Sequence, residues 1–304
     1  MTVSRREFFR YCVASATSLG LLPAQLKALH AALASSNLPK VVWLHGASCN
    51  GCSVSLLNRI ADTAPATTVD DLLINNIDLI YHTVVMSAAG DLAVSALKQQ
   101  ISAGGYVLVV EGGVSTAFGG HACTVWTENG KDVTFQDALK LAASKAVAII
   151  SAGTCAAYGG IPAAGPNPTG IQSVSAFLGK PTVNIPGCAM HPDWFIGTVV
   201  QFILGNPIDL DEFGRPTAIF GRTIHSTCPY NPANGSTAGY ATTFGGSPKC
   251  LRMLGCRGPG TFGNCDSLRW NNGVSWCAQS GAPCIGCTEP TFPGPDPLYA
   301  PIYG

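Results

Sequence analysis

Charge is scarce in this chain. Lysine, arginine, aspartate and glutamate make up 11% of its 304 residues, and the two signs balance at 17 each. No basic or acidic excess suggests nucleic acid or an anionic membrane surface as a partner. With a positive mean hydropathy, much of the surface must be small apolar residues or be covered by a partner. Long apolar runs are missing too. The stretch from Val13 to about Leu22 is too short to span a bilayer. The chain reaches Gly304 without another such run, so no C-terminal membrane anchor is expected. No Gly-rich phosphate loop, dinucleotide fingerprint or Ser/His/Asp grouping stands out. Glu111-Gly112-Gly113, following a strand pattern, is too little for a nucleotide site.

What the chain does have is cysteine, 13 in all. In 304 residues that number means a secreted disulfide framework or a metal protein. The N-terminus bears on the choice. Arg5 and Arg6 precede Phe8 and Phe9, an Ala/Ser-rich run follows, and Ala32-Leu33-Ala34 offers a small-residue cleavage site. Residues 1–34 therefore read as an export signal, and Ser-Arg-Arg-x-Phe looks like the twin-arginine type used by proteins exported already folded. Its removal takes away Arg5, Arg6, Arg10 and Lys27 against Glu7 alone, leaving a mildly acidic chain. Cys12 leaves with it, so twelve cysteines remain.

From Lys40 to about Pro192, short apolar runs alternate with helical patterns. Residues 41–46, 79–85, 106–113, 146–153 and 182–187 are rich in Val and Ile and read as buried parallel strands. Ser53–Ala61, Asp91–Ser102 and Thr134–Lys145 read as amphipathic helices, several opening on Ser, Asp or Thr caps. The alternation predicts a doubly wound parallel sheet. Ligands of such sheets collect beyond the C-terminal strand ends. Cys49 and Cys52 follow the first strand, Cys123 lies after the third and Cys155 after the fourth, so these four are expected to converge. Cys188 follows the fifth and is placed nearby. After a helix over Pro192–Leu204, residues 206–304 crowd together Gly, Pro, Asn and Cys with little apolar periodicity. Crosslinks or metals must hold that segment.

Three readings of the cysteines compete. The even count allows six disulfides, CxxC pairs suit zinc, and thiolates are the usual ligands of iron–sulfur clusters. Spacing favours a metal over disulfides and separates the two metals poorly.

Five motifs carry a resemblance. CNGCSVSLLN (Cys49 to Asn58), GTCAAYGGIPAAG (Gly153 to Gly165), NIPGCAMHPDW (Asn184 to Trp194), IHSTCPY (Ile224 to Tyr230) and PCIGCTEP (Pro283 to Pro290) occur in order along the chain. Together they resemble the small subunit of nickel–iron hydrogenases. The resemblance implies an α/β flavodoxin-like domain over residues 35–195 and a loop-rich iron–sulfur domain over 196–304. It also implies an electron-transfer role for H2 to and from two protons and two electrons. The nickel–iron centre would sit in a large-subunit partner, and three clusters would lie in this chain. Carried over, the proximal 4Fe–4S cluster takes Cys49, Cys52, Cys123 and Cys155. The distal 4Fe–4S cluster takes His225, Cys228, Cys250 and Cys256, its imidazole raising the potential. The medial cluster takes Cys265, Cys277, Cys284 and Cys287.

Cys277 stands where the family's three-cysteine, 3Fe–4S pattern has proline. A fourth thiolate resembles the periplasmic nickel–iron–selenium branch, whose medial cluster is 4Fe–4S. Gly51 stands where oxygen-tolerant relatives add a cysteine, so their altered proximal cluster is not expected. Ser48 replaces a glutamate proposed to carry protons in many relatives. Cys188 has no ligand role implied and reads as a buried thiol near the proximal cluster. Lys249, Arg252 and Arg257, among the distal ligands, are solvated charges or a docking face for an electron carrier. That carrier would be a multihaem cytochrome c or a membrane partner. The competing function is an exported, zinc- or disulfide-stabilised binding protein.

Overall fold

A computed structural model describes residues 38–59, 77–203, 205–245 and 249–301. The export signal, Cys12 and the end of the first expected helix lie outside the described residues.

Five strands form one parallel sheet: β1 (Lys40–His45), β2 (Asp78–His82), β3 (Tyr106–Glu111), β4 (Ala146–Ala152) and β5 (Val183–Ile185). Their order is β2-β1-β3-β4-β5. That is the flavodoxin-like order, with its switch point between β1 and β3. Helices lie between the strands: α1 (Gly51–Leu57), α2 (Gly90–Ala103), α3 (Phe135–Ala143), α4 (Gly153–Tyr158) and, after β5, α5 (Pro192–Ile203). The predicted strands and helices are found, with ends shifted by a few residues. The largest shift in the sheet is at β2, where the expected strand over 79–85 ends at His82 and Thr83–Val85 turn.

Alternation along each strand divides the core in two. On one face Val41, Trp43, Val107, Val109 and Ile150 meet α1 and the α5 residues Trp194, Phe195 and Val199. On the other Val42, Leu44, Leu108 and Val110 meet Leu97 and Ile101 of α2 and Phe135 and Leu139 of α3. Apolar cover on both faces explains why these strands carry near-continuous Val and Ile. Helix α3 starts where Thr134 Oγ1 accepts from the Asp137 N–H at 3.3 Å, a side-chain cap that fixes its first turn.

Beyond residue 206 the regular elements are single helical turns and isolated bridges. A small apolar group of Ile224, Cys228, Ala241, Leu251, Trp276 and Ala278 lies inside. Phe262, Cys265, Leu268 and Trp270 pack against the first face of the sheet core. Arg215 ties the loop-rich part together: 2% exposed, it bonds Asp211 Oδ2 at 2.7 Å and both Glu289 oxygens at 3.1 Å. Its guanidinium also lies over Phe213, Phe220 and Phe262. Trp194 Nε1 adds a 2.6 Å bond to Asn264 Oδ1. Among the described residues no helix is long and apolar enough to cross a membrane.

Candidate metal centres

The twelve described cysteines are all free thiols, and most gather in three groups.

The first group stands at the C-terminal edge of the sheet. Helix α1 begins at Gly51, inside the Cys49–Cys52 motif, and two residues before Cys52 Asn50 adopts φ 60. Cys49, Cys155 and Cys188 act electrostatically on one another, and Cys52 feels Cys155 and Cys188. Burial, then the neighbouring cysteines, pushes Cys155 up to about 12 and raises Cys188, while burial, then the Glu111 charge, raises Cys52. Room for sulfur comes from glycine: a Cβ on Gly153, at φ +82, would lie 2.4 Å from Cys52 Sγ. The Met190 N–H points at Cys52 Sγ from 3.4 Å.

Cys123 is not in this group, contrary to the expectation that the loop after β3 delivers it there. Its N–H donates to Gly120 O and its carbonyl accepts from Phe135 N–H at 2.8 Å. These bonds hold it beside α3, where it packs into the second-face core. Burial alone raises its thiol, with no other cysteine acting on it. The fourth sulfur of the edge is Cys188, delivered by the turn after β5. Position after a strand was the available signal, and it pointed equally to Cys123 and Cys188.

Behind the edge lies a buried polar network. Glu111 accepts from Trp43 Nε1 at 3.2 Å, from the Cys52 and Ser53 N–H groups at 3.1 Å each, and from Ser53 Oγ at 2.6 Å. His45 Nε2 lies 3.1 Å away. Although burial opposes ionisation, these bonds, led by His45 and Ser53, bring its pKa below the usual carboxylate value. His82 Nδ1 accepts from the Val84 N–H at 3.1 Å, so its Nε2 carries the hydrogen towards Ser53 Oγ at 3.2 Å. Burial, aided by His45, lowers the His82 pKa to about 4. Sequence reading missed Glu111. A carboxylate ending an all-apolar strand was the signal.

Cys265, Cys277, Cys284 and Cys287 form the second group, around a cavity of about 470 Å³ that Cys188 also lines. Burial raises all four thiols, Cys287 to about 12. Cys265 feels each of the other three.

His225, Cys228, Cys250 and Cys256 line a third pocket with Lys249, Tyr230 and Trp276. Thr223 caps the single turn Ile224–Thr227. Asn231 and Asn234 both donate to His225 O, at 3.0 and 3.2 Å, which holds the His-x-x-Cys turn. Burial, then Arg252, lowers the His225 pKa, favouring the neutral imidazole that binds metals.

These donors suit iron–sulfur clusters. Buried thiols without counter-charge stay protonated, and a metal centre is what makes them thiolates. Among the described residues no three His, Cys, Asp or Glu side chains could hold a single metal ion. A tetrahedral zinc site, with Zn–S about 2.3 Å, draws its sulfurs close together, whereas a cage of iron and sulfide spreads them.

A family model for the C-terminal part of the NiFe/NiFeSe hydrogenase small subunit matches residues 220–299. A second, described as NADH ubiquinone oxidoreductase, 20 Kd subunit, matches residues 49–202. The periplasmic [NiFeSe] hydrogenase small subunit of Desulfomicrobium baculatum is 39% identical, covering 98% of this chain and 99% of that one. The chain belongs to the nickel–iron hydrogenase small subunits. Another small subunit of this family, the periplasmic [NiFe] protein of Solidesulfovibrio fructosivorans, is 40% identical over 95% of this chain and 90% of its own. The structure of the recombinant [NiFeSe] hydrogenase of Desulfovibrio vulgaris Hildenborough superposes with a TM-score of 0.78 at 40% identity. It covers 88% of this chain and 99% of that one. Hydrogenase small subunits work in a heterodimer with a large subunit, and membership in the family implies iron–sulfur clusters here.

Proposed function

We propose that this chain is the electron wire of an exported hydrogenase, with three four-iron clusters in line. Cys49, Cys52, Cys155 and Cys188 would hold the proximal cluster. Cys265, Cys277, Cys284 and Cys287 would hold the medial one, and His225, Cys228, Cys250 and Cys256 the distal one. Bound clusters supply one-electron stations between the large subunit, where H2 is interconverted with two protons and two electrons, and a carrier. The chain's own residues bury the stations, exclude water and tune them through ligand type and N–H···S bonds.

One observation carries this reading: the three groups adjoin end to end. Cys188 of the first lies beside Cys287 of the second, and Cys284 of the second beside Cys256 of the third. Cys277 completes a medial set of four, which supports a 4Fe–4S cluster over a 3Fe–4S one. The sheet-bearing part would extend to about residue 195 and face the large subunit. Lys249, at the rim of the distal pocket, suits a docking face for a carrier such as a multihaem cytochrome c or a membrane redox partner. Periplasmic relatives and the twin-arginine pattern, outside the described residues, support export.

Iron and acid-labile sulfide in the purified heterodimer test the reading, with about twelve of each expected in this chain for three four-iron clusters. Zinc in their place, or no labile sulfide, refutes it. A strong, narrow 3Fe–4S EPR signal in the oxidised protein refutes the role of Cys277 alone.

A further inference from the structure

The join between the first and second sulfur groups runs through one hydroxyl. Thr154 is 1% exposed and immediately precedes Cys155. Its Oγ1 accepts from the Gly187 N–H at 2.8 Å and donates to the carbonyl of Cys287. Its own N–H donates to Gly187 O at 3.2 Å. Three cysteine-bearing segments therefore meet at this residue: its own, the turn leading into Cys188, and the tail CxxC ending at Cys287. A hydroxyl has one donor and two acceptor sites, and here the donor and one acceptor are used between the two groups.

One residue beyond Gly187, the Cys188 peptide lies beside the Cys287 sulfur, and both cysteines line the same cavity. Here a cysteine of the first group meets a cysteine of the second. A matching contact leads onward, from the Cys284 N–H to Cys256 Sγ at 3.4 Å. That second path lies within the loop-rich part, where the Arg257 N–H donates to Cys284 O and the buried Thr261 hydroxyl, donating to Arg257 O at 2.6 Å, accepts from Cys284 Sγ at 3.5 Å. The first path crosses from the sheet to the loop-rich part, 133 residues apart in sequence between Thr154 and Cys287.

We propose that Thr154 is a positioning residue for electron passage from the proximal to the medial cluster, holding the Cys188 peptide against the Cys287 sulfur. This rests on the cluster reading above. One electron leaves the first station and arrives at the second, and no bond in the chain forms or breaks. Electronic coupling falls steeply with separation. A clamp that keeps the Cys188 peptide beside the Cys287 sulfur thus sets the rate of this step without setting either potential.

The test uses the whole heterodimer and the Thr154→Val and Thr154→Ser variants. Iron and labile sulfide are measured first, then the medial potential by EPR-monitored redox titration. Medial reduction after mixing with H2 is then followed by rapid-freeze EPR. Thr154→Val, which keeps the shape and loses the hydroxyl, is expected to retain its clusters and potentials while its medial cluster fills several-fold more slowly. Thr154→Ser, which keeps the hydroxyl, is expected to fill at the parental rate. A valine variant that fills as fast as the parent overturns the proposal. If the valine variant does not assemble, the serine variant decides, and slow filling in serine overturns the proposal. A parental protein without clusters overturns the function proposed above and this inference with it, which separates the two failures.

Discussion

The two halves of the chain solve the problem of staying folded in opposite ways. Residues 40–203 bury Val, Ile, Leu and aromatic side chains on both faces of a parallel sheet. Residues 206–301 have one small apolar group, a borrowed edge of the sheet core and two of the three sulfur groups. The first half sets its cysteine-bearing edge on a scaffold packed from apolar side chains. In the second, groups of Cys and His side chains stand where an apolar core would be. Low regularity after residue 206 is therefore not looseness: the chain wraps its donors, and backbone N–H groups are turned towards sulfur rather than towards a ladder.

Removing iron should separate the halves most sharply. With chelator and reductant, residues 206–301 are expected to lose hydrogen-exchange protection almost entirely, as small metal-held domains do, while the strands over 40–203 keep theirs. Equal loss in both halves would show that the sheet too depends on metal. Next in size, Cys188→Ser should abolish the proximal EPR signal and cost its iron, while Cys123→Ser leaves iron content unchanged. The reverse pattern would restore Cys123 to the site. Cys277→Ala should convert the medial signal to a 3Fe–4S type with one iron lost.

Within the loop-rich half, Arg215→Met leaves Asp211 and Glu289 without their buried partner. Breaking such a pair costs about 3–5 kcal/mol, read as a lowered Tm of the holoprotein. A change below about 1 kcal/mol, the range of exposed pairs, would mean that the loop-rich half does not rely on it. The smallest effect concerns pH. His82 is held neutral, with its pKa lowered to about 4, so the unfolded chain binds the extra proton between about 6.5 and 4. Stability should therefore fall as pH drops through that window and level off below it. His82→Gln should flatten that part of the denaturation profile.

Much of this was legible in the sequence. Val- and Ile-rich runs marked the five strands because strands buried on both faces cannot alternate with polar residues. The Gly, Pro and Cys crowding after residue 206 marked a segment without an ordinary core. The distal and medial sets were implied by the family resemblance of the motifs, and the structure brings each of them around one cavity. The proximal set was not fully readable. Cys123 and Cys188 both follow a strand, and only the path of the chain separates them. The hairpin of Thr124–Glu128 and Lys131–Thr134 leads from Cys123 into α3 on the far face, while the turn after β5 opens at the sheet edge.

The resemblance of five motifs was enough to point to the family, and residue type and local spacing to specify the alternation that makes the sheet and the supply of donors. The folded chain was needed to show which cysteine completes the proximal edge, that Glu111 sits behind Cys52, and that Thr154 closes the seam. Each of those is a meeting of segments dozens to more than a hundred residues apart, and local pattern carries no information about which distant peptide a side chain will find.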